Sequence, residues 1–165
     1  MATNVANIAN RPTTGATAVG ASKNESGFSE RERAAMKVRA AEVKKESSRG
    51  RGNKAAADEA AVLAKIEQMA EPDRTIAGRI HAIVTGNTSE LAPKLWYGQP
   101  AYARKGKVVC FFRSGQDDKE RYSTFGFNPE ANLDEGGFWP TSFAVSELTA
   151  KAEKEIAALV RKAVS

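Results

Sequence analysis

A chain of 165 residues, 41% hydrophobic and 27% charged, holds enough material for one domain with a core plus an added segment, and is too apolar to be disordered throughout. No apolar run approaches the roughly 18–20 residues that span a bilayer, and the opening "MATNVANIANRPTTGATAVG" lacks the charged start and apolar stretch of a secretory leader. The single cysteine excludes an internal disulfide and suits a reducing cytoplasm.

The net charge of +5 is unevenly placed, with 11 Lys/Arg against 5 Asp/Glu in residues 1–54 and 14 against 15 in residues 55–165. Residues 1–27 are Ala, Thr, Asn, Gly and Ser with almost no large apolar side chain. Such a segment buries too little surface to offset its ordering entropy, which predicts a disordered tail. At 28–47, "GFSERERAAMKVRAAEVKKE" reads as a helical extension opened by a capping box, Ser29 with Glu32. Its large apolar residues, Met36, Val38 and Val43, form no single stripe, so it is expected to stay exposed. "SSRGRGN" then predicts a basic, glycine-containing linker over 48–54, with Asn53 capping the next helix. Leu63, Ile66 and Met69 recur at helical spacing in that helix. A third helix starts near Pro72 and carries Ile76, Ile80, Ile83 and Val84, until "TGNTS" ends it.

The texture then changes, since eleven of the twelve aromatics fall between Trp96 and Phe143. This predicts a β-rich middle with strands at 95–97, 101–104, 108–112 and 122–127 and a last short strand near Val145. "RKGK" reads as a hairpin turn, with Gly106 at positive φ. "VVCFF" is apolar on both alternating faces and reads as a central strand covered on both sides. In "WYGQPAY", Gly98 permits a tight turn and Pro100 pushes Gln99 to extended geometry. Thr149 caps a closing helix with Ile156, Leu159, Val160 and Ala163 in one stripe. Helices, a run of short strands and a helix make an α+β domain over 55–165, with a small antiparallel-dominated sheet flanked by helices.

Pro93, Trp96, Gly98, Pro100, Ala101 and Tyr102, with the strand "GKVVCFF" and the helix "ELTAKAEKEIAALVRKA", resemble the YdhG-like family, a group of small bacterial domains mostly of unknown function. The likeness covers roughly residues 55–164, and 28–47 looks like the N-terminal helical extension of some members. It implies a frataxin-like α+β architecture and, for some members, an intracellular iron-chaperone role with iron-accepting proteins as partners. Gln99 departs from the pattern, standing where the W-x-G-x-P run usually has Met.

The residues themselves offer three binding readings. Labile iron prefers exposed clustered carboxylates, and Asp117, Asp118 and Glu120 form the tightest acidic cluster, with Glu130, Asp134 and Glu135 a second. The alternative is that both are solvated loops, and Lys119 and Arg121 lower cation affinity at the first. Trp96, Tyr97, Gln99, Tyr102, Tyr122 and Trp139, with Arg104 and Arg121 supplying positive charge, could instead line a small-molecule site, although a domain this size also needs such rings as core. The basic segment 31–54 is able to touch nucleic-acid phosphates, but Glu30, Glu32, Glu42 and Glu46 dilute its field and no nucleic-acid-reading module accompanies it. Cys110 lies within a doubly apolar strand and reads as core. His81 has no His or Cys at i+4 and reads as a packed side chain. With no phosphate loop, metal-ligand spacing or nucleophile–base pair, a non-enzymatic binding protein is expected.

Overall fold

The computed structural model describes residues 28–47 and 51–165. The expected tail, 1–27, and residues 48–50 of the expected linker lie outside the described residues.

Two-residue hairpins set the sheet. Tyr97 (φ 50°) and Gly98 (φ 74°) join strand β1 (Ala92–Trp96) to β2 (Gln99–Arg104), and Lys105 (φ 51°) and Gly106 (φ 82°) join β2 to β3 (Lys107–Arg113). Positive φ at both central residues is the turn whose twist matches that of the flanking strands. Strands β4 (Ser123–Phe127) and β5 (Ser142–Val145) complete an antiparallel meander of order β1-β2-β3-β4-β5, so β3, which holds "VVCFF", is central as expected. The first strand begins earlier than predicted, at Ala92, and Tyr97 belongs to the turn. An edge strand tolerates Pro93 because only one side of it is paired.

Four helices accompany the sheet: α1 (Glu30–Ser47), α2 (Arg51–Gln68), α3 (Asp73–Asn87) and α4 (Ala150–Val164). The capping box of α1 forms in both directions, Ser29 N donating to Glu32 Oε2 (2.7 Å) and Glu32 N to Ser29 Oγ (3.2 Å). Thr149 Oγ1 caps α4 by accepting from Ala152 N (3.1 Å). The linker reading over 48–54 is corrected in part. The second helix starts at Arg51 and takes in Gly52 and Asn53, so Asn53 is not its cap. One glycine within a first turn costs only about 1 kcal/mol, which the apolar face further along the helix offsets.

One face of the sheet carries Tyr102, Cys110, Phe112, Phe125 and Val145, packed with Val62 and Ile66 of α2, Ile76, Ile80 and Val84 of α3, and Ile156 and Val160 of α4. Burying each large apolar side chain contributes roughly 1.5–3 kcal/mol. The opposite face carries a smaller cluster, Ala101, Ala103 and Val108 with Trp96 and Phe111. Helix α1 adds little core. It reaches the β1–β2 turn, where Gly98 N donates to Glu42 Oε1 (2.9 Å), and the β3–β4 loop, where Arg31 pairs with Asp118 (3.5 Å) and Glu120 (3.7 Å). A meander places both of these at the same end of the sheet.

Candidate ligand cleft

Antiparallel pairing decides which of the expected site residues can meet, because directly opposed residues share a face. Trp96 opposes Gln99, and Ala101 opposes Phe111, so these four lie on the smaller-cluster face. Tyr102 opposes Cys110 on the core face. Trp96 and Tyr102 therefore cannot wall one pocket, and the aromatic set read from the sequence is divided. Trp96 meets Tyr97 edge to face (centroids 4.9 Å apart) and Phe111 at a tilt (5.3 Å). Gln99 Oε1 accepts weakly from Ser114 N (3.5 Å). Tyr102 is 0% exposed, which corrects its assignment as a ligand contact. Its hydroxyl lies 3.3 Å from His81 Nδ1. Arg104 is engaged by Glu90 (3.1 Å) and by the Val164 carbonyl (2.8 Å). Arg121 stacks over Tyr122 (5.2 Å) beside the β3–β4 loop. Trp139 lines a separate cleft in the β4–β5 connection.

The acidic cluster does not fit a metal. Asp117 is paired with Lys65 (2.6 Å), Asp118 with Arg31 (3.5 Å) and Arg113 (3.6 Å), and Glu120 with Arg113 (2.8 Å) and Arg31. Among the described residues no three His, Cys, Asp or Glu gather where they could hold one ion. The spacing in sequence concealed this, because Arg31 and Lys65 arrive from α1 and α2. Ferrous iron titrated into the full chain is expected to give no saturable heat. A saturable signal lost in Asp118→Asn would restore a metal site here.

Arg31 and Arg39 in the basic segment are likewise paired, Arg39 with Glu42 at 3.5 Å. Among the described residues no helix is long and apolar enough to cross a membrane.

The reactive side chains are locked away. Cys110 is fully buried and its thiol is pushed up to about 12 by burial. Burial also raises Tyr102 well above the usual phenol range. His81 is held below the usual imidazole range by burial, against a weaker opposing pull from Glu59, 3.8 Å from Nε2.

A polar network legible in no single motif joins α3 to the β3–β4 loop. Asp73, 4% exposed, accepts from Ser114 Oγ (2.6 Å), Ser123 Oγ (2.8 Å) and Gln116 N (3.1 Å). Ser123 Oγ in turn accepts from Gly115 N (2.9 Å), and Ser114 Oγ from Asp117 N (3.1 Å). Every donor is matched and the cluster closes the loop, so it is structural.

The cleft at Trp139 is different. It has a volume of about 350 Å³, and Phe127, Ala131 and Leu133 are buried residues that form part of its lining. Trp139 is half-buried against the same core. Asn128, Asp134 and Thr141 supply the polar lining. Backbone bonds hold the frame. Phe127 N donates to Thr141 O (2.8 Å), Ala131 N to Asn128 O (2.9 Å), and Asn132 N to Ala163 O at the end of α4 (2.9 Å). Asn132 Nδ2 also donates to Ser165 O (2.9 Å). Gly136 takes a positive φ (64°) in this connection, and Phe138 beside Trp139 is 95% exposed, a large ring that folding does not use. Of these residues the sequence reading named Trp139, and Asp134 as a member of the second acidic cluster. The missed signal was Ala131 and Leu133, apolar residues alternating within an otherwise polar connection.

No model of a known protein family, no curated protein and no solved structure matches the chain.

Proposed function

We propose that this chain is a non-enzymatic binding protein that holds a small organic molecule in the Trp139 cleft. One observation carries the reading: a preformed concavity of about 350 Å³, floored by core residues, walled by an indole and edged by a few polar groups. Small-molecule sites have this make-up, and a frame fixed by backbone bonds loses little entropy on binding. The absence of catalysis is supported by the burial of Cys110, Tyr102 and His81, which takes the reactive side chains away from solvent. The YdhG-like resemblance, carried by Trp96, Gly98 and Pro100, fits a non-catalytic role. Iron carriage would have to displace the cations from Asp117, Asp118 and Glu120, so the geometry favours an organic ligand.

A thermal-shift screen on the full chain tests the reading. Thr141 is exposed and lines the cleft, so Thr141→Trp fills it while every core residue keeps its identity. A ligand at a hundredfold excess over its Kd raises Tm by about 5–11 °C in the unaltered chain. The same ligand is expected to leave the filled variant unmoved. Hits that stabilise both proteins equally, or a screen without hits, would remove the cleft as the site.

A further inference from the structure

Resting on the reading of the Trp139 cleft as a binding site, we infer that its ligand is a small organic cation, an amine carried on an aromatic or branched apolar body. Among the described residues Asp134 is the one charged side chain in the lining, and no Lys, Arg or His lines the cleft. The neighbouring Glu135 is taken by Lys162 (3.1 Å), whereas Asp134 has no ion pair among the described residues. Asn128 donates one Nδ2 hydrogen to Val108 O (3.2 Å), which leaves its amide oxygen and its second Nδ2 hydrogen for a ligand. The polar lining therefore carries one negative charge and, among the described residues, no positive one. An ammonium supplies the donors and the charge that Asp134 lacks, and it is attracted to the face of an indole such as Trp139. The apolar body covers Phe127 and Leu133. An anion of the same shape meets Asp134 with no cation to offset the repulsion.

The test is calorimetric titration of the full chain with phenethylamine, its neutral counterpart phenethyl alcohol and its anionic counterpart phenylacetate. The amine is expected to bind roughly tenfold more tightly than the alcohol, with phenylacetate weakest. Asp134→Asn removes the charge from an exposed side chain with no partner among the described residues, so the variant folds. It is expected to reduce the amine's affinity to about that of the alcohol for the same variant. Equal affinity of amine and alcohol for the unaltered chain overturns the cationic class while leaving the cleft standing. Silence from all three compounds also overturns the class, and the screen with Thr141→Trp then decides separately whether the cleft survives.

Discussion

Asp73→Ala is expected to lower the stability of the fold by about 3–5 kcal/mol, read as a fall in the urea midpoint at unchanged slope. The carboxylate is buried and accepts three hydrogen bonds, two from serine hydroxyls and one from the Gln116 amide. Alanine leaves the buried hydroxyls of Ser114 and Ser123 without their acceptor, and each such loss costs about 1–3 kcal/mol, whereas the amide of the exposed Gln116 can turn to water. The partners lie 41 to 50 residues away in sequence, so the network fastens the start of α3 to the loop between β3 and β4. Ser123→Ala should cost less, because its own acceptor and donor needs vanish with it. In a double-mutant cycle the two losses should be far from additive, since the second substitution removes a bond already broken. A loss below about 1 kcal/mol for Asp73→Ala would mean that water replaces the carboxylate and that the loop is not held this way.

Gly115→Ala is the second large effect, expected at about 3 kcal/mol or more. A Cβ at this position would stand 2.3 Å from the Tyr122 carbonyl oxygen and 2.5 Å from its carbon. The obstruction is backbone at the entry to β4, so no side-chain rotation relieves it. Relief requires the loop to open, which breaks the bond from Gly115 N to Ser123 Oγ (2.9 Å) and disturbs the Asp73 cluster. Gly137→Ala is the control, because nothing lies within 4 Å of its added carbon. It should change stability by no more than about 0.5 kcal/mol. Similar urea midpoints for the two variants would contradict the close approach at Gly115.

What the sequence makes readable here is local. The two hairpins follow from Gly98 and Gly106 at the second position of two-residue turns, a signal confined to four residues. The Ser29–Glu32 box and the Thr149 cap need only three residues of separation. The central position of "VVCFF" follows from its apolar character on both faces. The site was less legible because its parts come from distant elements. Trp96 and Tyr102 are six apart, and assigning them to one pocket overlooked that an even separation across a turn need not preserve the face. The turn itself and the pairing of Trp96 with Gln99 decide that. Asp117, Asp118 and Glu120 looked available because Lys65 and Arg31 reach them only after α2 and α1 have packed. The frame of the Trp139 cleft depends on Asn132 meeting the carbonyls of Ala163 and Ser165, a closure across about thirty residues that no local pattern announces.

The chain has two tryptophans, and they lie on the two competing candidates for the ligand site, Trp96 at the β1–β2 turn and Trp139 at the cleft. Their indole N–H signals in a ¹⁵N–¹H correlation spectrum, assigned with Trp96→Phe, report on each place separately. Titration with a compound that stabilises the unaltered chain but not Thr141→Trp is expected to shift the Trp139 signal and leave that of Trp96 in place. Movement of the Trp96 signal with a stationary Trp139 would place the site at the aromatic turn and contradict the account.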